Sequence, residues 1–216
     1  MMPAELKDRS LKYSICVSGA AAGETMKESA ALAEAIGAEI AKSGHIITTG
    51  ATVGLPYAAA RGAKRAGGMS IGFSPASSLR EHLRKYRLPH DVFDFINFTG
   101  LNYVGRDLYL VQSSDAVITV GGRFGSLHEF TSALEDRKPC GVLLGSGGTA
   151  DIIPDLVDAL HEPALAHLII YETDPAKLVE KMVKILDEKN ADIHDQLSHH
   201  DQSWFLNTDK PLPRAG

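Results

Sequence analysis

The run Val117-Ile118-Thr119-Val120-Gly121-Gly122-Arg123-Phe124-Gly125-Ser126-Leu127-His128-Glu129 has the residue types and spacing of a phosphate site with an acid beside it. A β-branched stretch ends in paired glycines, and a third glycine and a serine follow. An apolar-periodic segment then opens at Leu127 and carries Glu129. Strand, glycine loop and helix, in that order, leave backbone N–H groups unpaired at a positive helix end, where a phosphate is stabilised. A carboxylate one turn into the same helix is not suited to holding that phosphate. It is placed to act on whatever the phosphate is attached to. Three glycines, Gly121, Gly122 and Gly125, exceed what a tight turn needs. The loop lacks the Gly-Lys-Ser/Thr ending of a Walker A motif. It also lacks the Gly-x-Gly-x-x-Gly of a dinucleotide fingerprint. Glu129 stands three residues after Ser126, which is also the spacing of a capping box. From spacing alone it is therefore either a reactive carboxylate or a helix cap. His128 reads as a packed or surface histidine.

Other small-residue steps follow strand-like runs. Ser18-Gly19-Ala20 and Thr49-Gly50-Ala51, with Gly54 after them, would let a flat ligand approach the backbone. Arg106 lies near the start of the helix-like segment preceding Ala116–Val120, and by pattern alone a surface salt bridge with Asp107 or a neighbour accounts for it. Arg80, Arg84, Lys85 and Arg87 form the notable basic cluster, which reads as a solvated helix face.

These residues need a scaffold, and strand and helix patterns alternate from residue 13 to about 188. Strands are expected at Tyr13–Ser18, His45–Thr49, Ser70–Phe73, Val92–Phe98, Ala116–Val120, Cys140–Leu144 and Leu168–Tyr171. Helices are expected at Glu24–Lys42, Gly54–Ala66, Tyr103–Ser113, Ser126–Asp136, Ile152–Leu160 and Pro175–Glu188, with Ser77–Tyr86 a short helix or a loop. In the first helix Met26, Ala30, Ala33, Ile36 or Gly37, and Ile40 would share one stripe. Repeated units of this length imply an α/β fold: a doubly wound parallel sheet, Rossmann-like, with helices on both faces and right-handed crossovers. Ligands bind such sheets outside the carboxyl ends of the strands. Gly19, Gly50 and Gly121-Gly122 then share one rim. Residues 1–189 read as a single nucleotide-binding domain, and 190–216 as an extension with a docked segment around Trp204-Phe205-Leu206.

Composition narrows the classes. The chain has 216 residues, a net charge of −5 and 23% charged residues, which argues against a nucleic-acid partner. No stretch reaches the roughly 20 apolar residues of a membrane span, and the charged N-terminus is not a signal peptide. A cytoplasmic protein is the simplest expectation. Cys16 and Cys140 sit in apolar runs and read as reduced core thiols. His194, His199 and His200 lie in a polar tail without the spacing of a metal site. Neither a metal nor a cofactor is called for.

With these residues in place, the chain resembles the Lonely Guy family, a family also labelled lysine-decarboxylase-like. Its wider superfamily takes in molybdenum-cofactor carrier proteins and the DNA-processing protein DprA. The resemblance covers roughly residues 13–145 and continues loosely to 188. The family's Pro-Gly-Gly-x-Gly-Thr-x-x-Glu matches Gly121-Gly122 and then Gly125-Ser126-Leu127-His128-Glu129. Val17-Ser18-Gly19 matches its first loop. Gly50-Ala51-Thr52-Val53-Gly54-Leu55-Pro56 matches its Gly-Gly-x-x-Gly-Leu-Met segment, and its upstream arginine falls on Arg106. The chain departs from the pattern in having Val120 for the proline and Ser126 for the threonine. It also has the pair Arg123-Phe124 in place of one residue, and Asp107 in place of a lysine. Val104-Gly105-Arg106-Asp107-Leu108 is more similar to the carrier-protein branch.

The resemblance implies a phosphoribohydrolase that splits a nucleoside 5′-monophosphate into free base and ribose 5-phosphate. Arg106 and Glu129 would be the catalytic pair. Ser18, Gly19, Gly50, Gly54, Gly121, Gly122, Gly125 and Ser126 would bind the phosphate and nucleotide. A carboxylate beside the ribose would stabilise the positive charge that builds as the N-glycosidic bond breaks. The alternative is a non-catalytic binder or carrier of a nucleotide or a molybdenum cofactor. Either way the partner is an AMP-like nucleotide or a phosphorylated cofactor, and the family implies a homo-oligomer. A pyridoxal-phosphate decarboxylase would need a Schiff-base lysine on the rim, and no lysine lies near those loops.

Overall fold

The computed structural model describes residues 11–23 and 25–198. One compact unit runs from Lys12 to Leu186; of the other described residues, Leu11 and 187–198 fall in a second.

The first unit is built on seven parallel strands: β1 (Ser14–Gly19), β2 (Ile46–Thr49), β3 (Ser70–Ser74), β4 (Phe95–Phe98), β5 (Ala116–Val120), β6 (Cys140–Leu143) and β7 (Ile169–Glu172). Their order is β4-β3-β2-β1-β5-β6-β7. This is the expected doubly wound α/β sheet. All five residues of β5 and all four of β6 are buried. Central strands covered on both faces read as continuous apolar runs rather than alternating ones.

The helices are α1 (Thr25–Lys42), α2 (Leu55–Arg65), α3 (Leu79–Arg84), α4 (Asn102–Gln112), α5 (Phe124–Glu135), α6 (Thr149–Leu160), α7 (Pro163–Ala166) and α8 (Pro175–Lys189). Within the second unit, α9 spans Ala191–Ser198. Right-handed crossovers put α1 and α2 on one face of the sheet and α4, α5 and α6 on the other; α1 packs on α2, α4 on α5, and α5 on α6.

The chain moves outward from β1 through β2, β3 and β4, then returns to β5 on the other side of β1. Register aligns Val17 with Ile118 and Gly19 with Val120. The loops after β1 and β5 therefore leave the same rim in opposite directions. This is the switch point at which doubly wound sheets open a crevice.

Some boundaries differ from the sequence reading. The segment 77–86, open between helix and loop, contains α3, started by Ser78, whose Oγ accepts the Glu81 N–H at 3.2 Å. Strand β4 is shorter than Val92–Phe98 and lies at the sheet edge. The short helix α7 and the helix α9 were not anticipated; their sequences are too short or too polar to show a periodic stripe. The largest consequence concerns α5, which begins at Phe124 rather than Ser126. Its N-cap is Arg123, so the capping-box reading of Ser126 and Glu129 is overturned. A helix started by a loop that folds back under it has no need of a serine cap. The Trp204-Phe205-Leu206 segment, His199 and His200 lie outside the described residues.

The alanine-rich pair α1 and α2 is in backbone contact. A Cβ on Gly37 would stand 1.8 Å from the Ala59 carbonyl oxygen, and one on Gly62 would stand 2.0 Å from that of Glu34. Because no flexible side chain can yield at these points, the helices must part. Gly62→Ala should therefore cost about 1–3 kcal/mol or more. In urea unfolding this would appear as a lowered midpoint with an unchanged slope.

Candidate functional site

The switch point holds a cleft of about 340 Å³ walled by the loops after β1, β2 and β5 and by the starts of α4 and α5. Such a volume suits a small ligand.

The glycine loop sets one wall. Gly121 and Gly122 take φ of 56° and 109°. A Cβ on Gly122 would fall 2.7 Å from the Ser126 Cβ, so only glycine lets the loop fold back onto its own helix. The loop is held from beneath: Gly121 N–H donates to Ser146 Oγ at 2.7 Å. Thr149 N–H and Ala150 N–H donate to the carbonyls of Gly122 and Gly121 at 3.2 and 2.9 Å. Arg123 is extended and supplies no side-chain cap. The first-turn N–H groups of Phe124, Gly125 and Ser126 thus have no partner within the helix. Gly125 and Ser126 face the cleft.

The neighbouring loop, Gly145-Ser146-Gly147-Gly148, looks equivalent but is closed. Gly145 N–H and Gly147 N–H donate to the two carboxylate oxygens of Asp151 at 2.7 and 3.0 Å.

Glu129 lies at the floor, 8% exposed. Ser18 Oγ donates to its Oε2. Burial pushes its carboxyl up to about 7; Arg106 pulls it back, Asp107 pushes it further, and Ser18 opposes. Arg106 is 4% exposed and lies across the cleft. Its Nη1 donates to the Gly50 carbonyl and to that of Phe73, the latter at 3.1 Å. A Cβ on Gly50 would sit 1.8 Å from that Nη1, so this glycine makes room for the guanidinium. Arg106 Nε is 3.1 Å from Asp107 Oδ1 but forms no hydrogen bond. Asp107 Oδ2 meets His128 Nδ1 at 3.3 Å. His128, read as a packed or surface residue, therefore ties α5 to α4.

Of the residues singled out from sequence, Gly19, Gly50, Arg106, Gly125, Ser126 and Glu129 line the cleft. Ser18 reaches it through Glu129, while Gly121 and Gly122 shape the wall from behind. Gly54 stands at the start of α2 with φ 80°. Arg106 is buried against the cleft, not at the surface. The pattern did not single out Tyr103, Arg123 or Phe124 as site residues. It also missed the Ser146–Thr149 support, which a strand followed by Gly-Ser-Gly-Gly-Thr could have signalled. Cys16 and Cys140 are buried free thiols. Burial, then the charge of Glu129, raises the Cys16 thiol, and burial pushes Cys140 up to about 12. Among the described residues no group of three or more histidines, cysteines or acids could hold a metal ion. None of their helices is long and apolar enough to cross a membrane.

With this geometry in view, the match of residues 12–179 to the model of the SLOG cluster4 family is decisive. The chain belongs to the SLOG cluster4 family. A relative of this chain, an uncharacterized protein of Archaeoglobus fulgidus, is 35% identical over 117 residues, covering 54% of this chain and 72% of the relative. The molybdenum cofactor binding protein of Rippkaea orientalis superposes with a TM-score of 0.65 at 28% identity, over 82% of this chain and 98% of that one. The molybdenum cofactor carrier protein of Chlamydomonas reinhardtii gives 0.66 at 28%, over 82% and 99%. DNA processing protein A of Helicobacter pylori shares the fold at 18% identity and a TM-score of 0.55, over 80% of each chain. The resemblance read from the sequence is thus met at the level of the SLOG fold.

The raised Glu129 carboxyl links folding to pH. Its folded value of about 7 exceeds the usual 4.5, so between these values the folded state binds more protons than the unfolded chain. Its contribution to stability is therefore lost as pH rises through that window. Glu129→Gln cannot titrate. In urea unfolding at pH 5 to 8, the variant should gain stability relative to the parent as pH rises, levelling off above pH 7. A difference that stays flat across the window would contradict the assignment.

Proposed function

We propose that the cleft binds a phosphorylated ligand, a nucleotide or a phosphorylated pterin-type cofactor, and holds it as a binding or carrier protein. The observation that carries this reading is the start of α5. Its first turn has no side-chain cap, it opens into the cleft, and the glycine loop is fixed in advance by Ser146 and Thr149. A preformed ring of N–H donors at a positive helix end binds an anion without reorganising.

The donor set suits a molybdenum cofactor's organic part. The α5 turn would take its phosphate, and the cleft would take its ring. Because the described residues offer no metal-ligand cluster, the grip would fall on those two groups. The names of the Rippkaea and Chlamydomonas neighbours support this side. So does Arg106, whose Nη1 is committed to the carbonyls of Gly50 and Phe73.

Hydrolysis of a nucleoside monophosphate is the second reading, favoured by one observation: the buried side chains of Arg106 and Glu129 line the same cleft. Removing a carboxylate that stabilises the transition state should cost on the order of 100-fold or more in rate.

One experiment separates the two. The protein is incubated with AMP, GMP, CMP and a phosphorylated pterin, binding is followed by calorimetry, and free bases are sought by chromatography. Carriage predicts saturable binding, raised thermal stability and intact nucleotide. Release of free base that Glu129→Gln abolishes would replace carriage with hydrolysis. No binding of any monophosphate or of a phosphorylated pterin would end both.

A further inference from the structure

The phosphate seat accounts for the backbone at the start of α5 but not for the side chain there. Phe124 lines the cleft yet is 87% exposed. A phenyl ring left in water forgoes the stabilisation of burial, so packing does not explain its place. Across the cleft, Tyr103 also lines it and is 46% exposed. The two stand at the same height. Helices α4 and α5 run parallel on one face of the sheet, and their register is pinned where Asp107 meets His128. One turn back along each helix leads from Asp107 to Tyr103 and from His128 to Phe124.

Tyr103 is also held in place. The Arg106 guanidinium lies 5.8 Å from its ring centroid. The Tyr86 ring stands edge-on to it at 5.6 Å, and Tyr86 is itself fixed by an O–H bond to Asn102 Oδ1 at 2.7 Å. One wall is thus held by its neighbours, and the other stands exposed.

Resting on the proposed phosphate seat, we infer that Tyr103 and Phe124 are the ring-selecting residues of this cleft, gripping the flat heterocycle of the ligand while α5 holds its phosphate. Stacking on aromatic side chains tolerates different bases and contributes about 1–3 kcal/mol per base by alanine substitution. That energy corresponds to a loss of roughly 5- to 150-fold in affinity.

The test compares AMP and GMP with ribose 5-phosphate by calorimetry on the full chain, with Phe124→Ala, Phe124→Trp and Tyr103→Ala. Sedimentation velocity is run on each protein. The nucleotides should bind at least ~10-fold more tightly than ribose 5-phosphate. Both alanine variants should lose most of that advantage and keep their affinity for ribose 5-phosphate, and Phe124→Trp should retain it. Three outcomes overturn the inference. Equal affinities for nucleotide and sugar phosphate would show that the ring is not gripped. Equal weakening of both ligands would make Phe124 part of the phosphate seat. A change of sedimentation in Phe124→Ala would make the ring a contact between copies. If ribose 5-phosphate binds in none of the proteins, the phosphate seat itself has failed, which is a separate result.

Discussion

A phosphate and two buried carboxyl groups cannot share a small cleft unless charge is balanced locally. Glu129 and Asp107 both lie beside the cleft and both are buried. Burying a charge without a partner is costly enough that the group usually neutralises instead. Arg106 is the buried cation beside them. Its Nη1 is spent on two backbone carbonyls, and Asp107 sits beside its Nε. The carboxyl left over is that of Glu129, which keeps its proton to about pH 7. Protonated, it no longer repels an anion seated on α5. The balance of the site therefore depends on a single guanidinium held by Gly50 and Phe73. An anion seated on α5, as proposed, would therefore bind with its affinity coupled to the protonation of Glu129.

The sheet explains why these groups meet. They come from segments far apart in sequence, with Ser18 and Glu129 separated by 111 residues. Only at the boundary between β1 and β5 do consecutive loops on one rim turn away from each other and leave a gap. The rest of the rim serves that gap. Loop 145–148 props the glycine turn, and Ser29 Oγ on α1 donates to the Ser146 carbonyl at 2.7 Å. That chain of contacts fixes the turn from the opposite face of the sheet.

Much of this was legible in the sequence because it rests on local pattern. The β-branched runs ending in glycine marked the strands and the rim, and the doubly wound arrangement follows from their alternation with helices. What could not be read depends on contacts across the sheet. Arg106 looks like a surface residue paired with Asp107 until Gly50 is seen to be the space its guanidinium occupies. Ser126 and Glu129 have capping-box spacing, yet the cap is lost because Ser146 and Thr149, from the loop after β6, hold Gly121 and Gly122 and let the helix start at Phe124. Tyr103 carries no local signal; it matters because α4 and α5 share a register set by Asp107 and His128. The family resemblance found the acid and the arginine but said nothing of these supports.

The two glycine loops make an internal comparison of what turns a helix start into a binding site. Both follow a buried parallel strand, both rely on positive-φ glycines, and both open a helix without an N-cap side chain. At α6 the acid of the first turn, Asp151, reaches back and takes the loop N–H groups, so the dipole and the donors are satisfied within the chain. At α5 the first turn holds no acid. The acid has moved to Glu129, far enough along the helix to be engaged by Ser18 instead. The two helix ends thus differ in two ways. At α6 the Gly122 and Gly121 carbonyls take the first-turn N–H groups of Thr149 and Ala150, and Asp151 takes those of the loop before them. At α5 the first turn faces the cleft, and the nearest acid of the helix, Glu129, is engaged by Ser18 instead.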